Sequence, residues 1–296
     1  MRNRAIAIFF IFLVANIGGS LTPLGDPPLF LGFLKGVDFF WTTKAMFLPM
    51  LFLVASLLII FYIYDNIQYK KEEKIPIPID KEKIGLKGSF NLLLILGVVF
   101  SVLLSGFWRP HIEFTIYHVH LELQNITRDL LLLALAYASW KFTSKEIRQA
   151  NEFTWFPIVE VAKLFAGIFI TIIPAIAILK AGTSGVLAII INAVSSDSGP
   201  VNHMYFWLTG ILSSFLDNAP TYLVFFNTAG GDPQILMGDL SKTLLAISAG
   251  AVFMGANTYI GNAPNFMVKS IAESSGIKMP SFFGYFLYSL AILFPL

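Results

Sequence analysis

The chain has 296 residues, 56% of them hydrophobic and only 13% charged, and its mean hydropathy is strongly positive. That balance excludes a water-soluble globular domain, and a net charge of +2 spread thinly among apolar runs excludes a nucleic-acid-binding surface. The lack of cysteine removes disulfides and thiol-ligated metals. Apolar runs able to cross a hydrocarbon core of about 30 Å recur from end to end, so the expectation is one all-α integral membrane domain over 1–296 with the lipid bilayer as its solvent.

Arg2 and Arg4 ahead of Ala5–Ala15 have the look of a secretory leader, but the run continues into a Gly/Pro break and a second apolar run, as a cleaved leader does not. The first crossing is read from Ala5 to Phe40, interrupted between Gly18 and Pro28, followed by a continuous helix from Thr43 to Tyr64. The loop 65–88 carries Lys70, Lys71, Lys74, Lys81, Lys83 and Lys87, which places it in the cytoplasm. A helix from Ser89 to Trp108, a polar stretch to Thr127 and a helix from Asp129 to Phe142 lead to a second cytoplasmic segment with Lys141, Lys145 and Arg148, and a long helix spans Thr154–Leu179. Two arms, Met204–Leu216 and Ala219–Phe226, are each too short to span and read as a re-entrant hairpin. A second interrupted crossing runs from Ser241 to Ser275, broken between Gly255 and Pro264, and Ser281–Leu296 is a last apolar run. Most Lys and Arg fall on the cytoplasmic side of this trace, as expected of a multi-pass protein of the cell (inner) membrane.

The two breaks share one pattern. GSLTPLGDPP (Gly19–Pro28) and GANTYIGNAP (Gly255–Pro264) both fit G-x-x-T-x-x-G-[D/N]-x-P, with Gly19 in register with Gly255. On the trace they cross in opposite directions, the mark of an inverted repeat, and paired discontinuous helices point to the midplane site of a secondary transporter. The repeats are read as 1–64 and about 89–296. At the same offset the hairpin tip SSFLDNAPT (Ser213–Thr221) has its counterpart ahead of Met1, so the first repeat is expected to be incomplete and the chain truncated at its front.

Breaking a helix in the membrane frees carbonyls at one half-helix end and N–H groups at the other, at several kcal/mol each if unpaired. With the oxygens of Ser20, Thr22, Asn257, Thr258 and Asn262 nearby, such carbonyls form a hard-oxygen cage for a small cation such as Na⁺. The plain alternative is a pair of packing kinks, which the matched pattern argues against. Asp26, Asp217 and Glu160 fall at membrane depth, where an ionised carboxylate costs on the order of 2.5–3.5 kcal/mol and marks function by default. A proton and a sodium ion compete for such a group, which is the essence of antiport. The competing role is capping, by Asp217 in the turn before Ala219 and by Asp26 at the half-helix starting at Pro27. Glu160 and Lys163, three apart on one helix, form either a proton or charge relay or a structural ion pair. His111, His118 and His120 read as an amphipathic interfacial stretch, lacking carboxylates or cysteines spaced to complete a metal site. The chain carries no GxSxG, HExxH or Walker-type pattern, so no enzyme and no cofactor is expected.

NIGGSLTPLGDPP (Asn16–Pro28), EFTWFPIVEVAKLFAGIF (Glu152–Phe169), SSFLDNAPT and ANTYIGNAPN (Ala256–Asn265) together resemble the ion transporter superfamily of citrate and dicarboxylate carriers, arsenite permeases and NhaD-type sodium/proton antiporters, the last most of all. The resemblance covers nearly the whole chain. It implies that hairpin tips and broken-helix loops pair into two cation sites, drawing Asn16, Gly25, Ser213, Asn218, Thr221 and Gly261 beside the residues above, and that a transport domain moves like an elevator against a scaffold, in a homodimer. Asp26 and Asp217 stand where the dicarboxylate carriers resemble G-T-P-P and S-N-T, which favours Na⁺ or H⁺ over an anion. The expected function is therefore Na⁺/H⁺ antiport. The alternatives are citrate, dicarboxylate or arsenite transport by the same fold, and a non-transporting fragment or split subunit.

Overall fold

The computed structural model describes residues 2–71, 85–108, 110, 112–116, 119–155, 158–159, 162–163, 166–167, 170, 174, 184–185, 188–196 and 199–296. The chain divides into two compact units, Met1–Glu73 with Pro157–Leu296, and Lys74–Phe156. Apart from two short two-stranded ribbons, the described elements are helices, and three helical stretches among them, Arg2–Leu21, Phe39–Tyr69 and Phe90–Phe107, are long and apolar enough to cross a membrane.

The larger unit opens with α1 (Arg2–Leu13), which gives way at Asn16 and the glycines after it to a 3₁₀ turn (Ile17–Leu21) before α2 (Pro27–Leu34). Pro27 and Pro28 suit a helix start because the first N–H groups of a helix have no partner to lose. Asp38 caps α3 (Phe39–Tyr69) by accepting from the N–H groups of Phe40 and Trp41 at 2.9 and 3.0 Å. The helix starts before and ends beyond the expected Thr43–Tyr64. The first five residues of the expected loop contain no Gly or Pro to stop it, and Asp65 is held there by Arg2, whose Nε and Nη2 donate to the two carboxylate oxygens at 2.6 and 3.1 Å. Its 31 residues span about 46 Å at 1.5 Å per residue, enough to cross and protrude.

Farther along the same unit come α7 (Ala188–Val194), the ribbon β3 (Ser195–Ser196) with β4 (Gly199–Pro200), α8 (Asn202–Phe215), α9 (Asn218–Thr228), α10 (Pro233–Met237), α11 (Ser241–Gly255), α12 (Ala263–Ser274) and α13 (Phe282–Ile292). The two expected short arms appear as α8 and α9, joined through Leu216 and Asp217 and packed on each other. The sequence reading passed over α10, which Asp232 caps from the loop. The backbones of α8 and α11 come close because Gly250 has no side chain: a Cβ there would lie 2.5 Å from the carbonyl oxygen of Phe206. One buried apolar cluster, with Phe12, Ile17, Met46, Val252 and Tyr285, packs α1 and α3 against α11 and α13, and a second, with Tyr205, Tyr222, Phe226 and Ile247, packs α8, α9 and α11. The expected helix Thr154–Leu179 lies mostly outside the described residues, as do Glu160, His111 and His118.

The smaller unit holds α4 (Phe90–Phe107), β1 (Glu113–Ile116), β2 (Val119–Glu122), α5 (Leu123–Phe142) and α6 (Lys145–Ala150). The stretch read as an interfacial amphipathic segment is a ribbon, with Glu113 opposite Glu122 and Thr115 opposite His120; its alternating, β-branched composition explains this. Helix α5 begins six residues ahead of the expected Asp129, since Leu123–Arg128 contains no breaker. Asn91 of α4 donates to Thr143 Oγ1 at 2.9 Å and accepts from Ser139 Oγ at 2.7 Å, tying α4 to α5.

Candidate functional site

The two breaks have the same local backbone. Asp26 and Asn262 precede α2 and α12 in extended conformations of φ −149°, ψ 139° and φ −154°, ψ 136°, and each helix has proline in its first two positions. In both loops the paired glycines bring backbone against backbone. A Cβ on Gly19 would stand 2.5 Å from the Gly25 carbonyl oxygen, and one on Gly261 would stand 2.5 Å from that of Gly255. The G-x-x-T-x-x-G spacing therefore specifies a closed loop that only glycine permits at those ends.

The two loops also meet. Asn262 Nδ2 donates to Asp26 Oδ1 at 3.1 Å and to Asn16 Oδ1 at 3.0 Å, while Asn16 Nδ2 donates to Asn265 Oδ1 at 2.6 Å and to the carbonyl of Ile11 at 2.8 Å. Asn265 Nδ2 in turn donates to the carbonyls of Gly255 and Thr258, at 2.9 and 2.8 Å. The tip between α8 and α9 joins both loops at once, because Asn218 Nδ2 reaches the two Asp26 oxygens at 3.2 and 3.1 Å while its backbone N–H donates to the Gly261 carbonyl at 3.1 Å. Asp26 is 3% exposed and Asn218 and Asn16 are fully buried. The result is one carboxylate held by side-chain amides, with no Lys or Arg among its described hydrogen-bond partners. The amide oxygen of Asn218, buried alongside, has no donor in the described residues. A buried carbonyl oxygen left without a donor is costly, and a cation satisfies it as well as an N–H does.

Around this centre Ser213 Oγ donates to the Ala251 carbonyl at 2.7 Å, and Thr258 Oγ1 donates to the Ser214 carbonyl while accepting from the Gly261 N–H at 3.1 Å. These bonds fasten the second break to α8. Of the remaining expected residues, Ser20 bonds within its own turn to the Ile17 carbonyl, Thr22 and Gly25 lie toward the surface of their loop, and Thr221 Oγ1 donates back to the Asp217 carbonyl. The Asp217 carboxylate accepts from the Ala219 N–H at 3.0 Å and caps α9, the competing role weighed for it, and it has no bond to the Asp26 network among those described. Lys163 is exposed. The resemblance implies two cation sites, whereas the described residues join both breaks and the tip in one continuous network.

Two members of the network escaped the sequence reading. Asn265 follows Asn262 by three residues on α12 and so shares its face, and Ser214 stands beside Ser213 in the tip motif. Both lie inside the quoted motifs, and helical spacing was the available signal. A family model described as "Putative citrate transport" matches residues 1–296, the whole chain. Neither a curated protein nor a solved structure matches it.

Proposed function

The chain belongs to this citrate-transport family and is a membrane transporter; we propose that it is a secondary transporter of the inner membrane, exchanging Na⁺ for H⁺ at Asp26 as the broken helices move against a scaffold. One observation carries this reading. The buried Asp26 carboxylate is ringed by amides and adjoins the unpartnered amide oxygen of Asn218. Such a site offers a small cation oxygen ligands and negative charge, and among the described residues it offers a di- or tricarboxylate no Lys or Arg hydrogen-bonded to it.

Sodium requires the ionised form of Asp26, and a proton on that carboxylate removes the charge that holds the ion, so the two are mutually exclusive cargoes. Sodium affinity therefore rises with pH. Among the described residues, Asn218 and Asn262 hold the carboxylate through side-chain N–H groups. The repeated loop geometry supports an inverted-repeat architecture in which the tip of α8 and α9 re-enters the membrane. The family match favours a second reading, citrate transport coupled to a cation at the same carboxylate.

The test is ion flux in proteoliposomes containing this chain, wild type beside Asp26→Asn, with citrate uptake measured in parallel. Dissipation of an imposed pH gradient by sodium in the wild type alone supports antiport. Sodium- or proton-dependent citrate uptake without such dissipation moves the assignment to the second reading, and an Asp26→Asn protein as active as wild type sinks both.

A further inference from the structure

The two breaks share a backbone but differ in what their carbonyls meet. Of the five carbonyls from Met254 to Thr258 in the second break, four meet side-chain donors. Ser214 Oγ lies 2.9 Å from that of Met254, Tyr285 Oη lies 2.8 Å from that of Ala256, and Asn265 Nδ2 alone reaches those of Gly255 and Thr258, at 2.9 and 2.8 Å. The register that pairs Gly19 with Gly255 matches these positions to Gly18–Thr22. There, among the described residues, only the Leu21 carbonyl accepts from a side chain, Thr43 Oγ1 at 2.7 Å. In the same register Asn265 falls on Leu29, which is 1% exposed within an apolar cluster and has no side-chain donor to give. The orientation of the Asn265 amide follows from its partners. Carbonyls only accept, so Nδ2 faces the Gly255 and Thr258 oxygens, and Oδ1 is left to accept from Asn16 Nδ2 at 2.6 Å.

We propose that Asn265 is the second break's built-in substitute for a cation, so that the chain binds one sodium ion, at the first break beside Asp26, rather than one at each break. The proposal rests on the sodium reading above. Two backbone oxygens converging on one nitrogen are the beginning of a hard-oxygen cage, and the two hydrogens of a carboxamide satisfy them without an ion having to shed its water. To enter there, sodium has to displace a fully buried side chain that makes three hydrogen bonds. The charges run the same way. The first break carries Asp26 where the second carries Asn262, and the Asp26 side chain lies against its own loop, since a Cβ on Gly19 would stand 3.4 Å from Asp26 Cβ. The break with the carboxylate has Leu29 in place of the donor, and the break with the donor has Asn262 in place of the carboxylate. Two separate differences between the repeats thus assign the ion to the same side.

The test counts ions, by equilibrium binding of radioactive sodium to the purified full chain in detergent at alkaline pH, taken to saturation. The wild type is expected to bind one sodium ion per chain. Asn265→Asp is expected to bind two, because one carboxylate oxygen then faces the Gly255 and Thr258 carbonyls and needs a cation between them. Asn265→Asp combined with Asp26→Asn is expected to return the count to one, now at the second break. Two ions per wild-type chain, or one ion in an Asn265→Asp protein that is monodisperse on gel filtration, overturn the assignment and leave the sodium reading standing. No bound sodium in the wild type removes the sodium reading and this assignment with it. If Asn265→Asp does not fold, the wild-type count decides alone.

Discussion

Among the described residues four aspartates stand at helix N-caps, Asp26, Asp38, Asp217 and Asp232, and three of them accept N–H bonds from the helix they precede. Asp26 does not: Pro28 takes away one of the two N–H groups a cap serves, that of the second helical residue, and its carboxylate turns instead to Asn218 and Asn262. Pro28 thus releases a charge for other work. Asp26→Asn keeps the side-chain shape and removes the charge. On the proposed reading sodium is expected to stabilise the purified wild type against melting and to have no such effect on Asp26→Asn, whereas Asp217→Ala is expected to keep the sodium effect and to lose about 1 kcal/mol of stability through the lost cap. Thermal melting with and without sodium reads both, and a sodium effect lost in Asp217→Ala but kept in Asp26→Asn would reverse their roles.

The second break is held as an element by α8. Ser214 accepts from Asn257, bonds to the Met254 carbonyl at the end of α11, and gives its own carbonyl to Thr258. Ser214→Ala leaves the Asn257 amide without its acceptor, so a loss of about 1–3 kcal/mol in unfolding free energy is expected, measured by denaturation in detergent. Gly261→Ala drives a methyl group to 2.5 Å from the Gly255 carbonyl oxygen and 2.8 Å from that of Ser213. It should cost a further about 1–3 kcal/mol as overpacking, and melting indistinguishable from wild type would show that the loop yields. The breaks were legible because Gly and Pro at fixed spacing state a backbone requirement that hydropathy does not hide. Helix ends were less so: α3 and α5 overran their expected bounds because polar residues without Gly or Pro do not stop a helix. The ribbon at Glu113–Glu122 was missed because polarity outweighed its alternation.

At the scale of the whole molecule, distant segments are brought together by side chains whose meeting no local pattern foretells. Asn16 and Asn265 are joined across 249 positions and Asn218 and Asp26 across 192, so the site's members were readable one motif at a time but their single shared network was not. Arg2, bonded to Asp65 and 5.0 Å from the Tyr69 ring, ties the start of α1 to the end of α3 in the same way. Both partners are partly exposed, so a double-mutant cycle with Arg2→Ala and Asp65→Ala is expected to give a coupling of about 0.2–1 kcal/mol, and additive effects would leave the pair without energetic weight. The contact between Asp26 and Asn262, the matching positions of the two motifs, has one more consequence. Two carboxylates at that distance would repel and two amides would carry no charge, so it is the pair, not either position, that must be singly acidic. Exchanging them, as Asp26→Asn with Asn262→Asp in one chain, is expected on the proposed reading to restore much of the sodium response that Asp26→Asn alone should lose, since the swap returns a single negative charge to the same pair of positions.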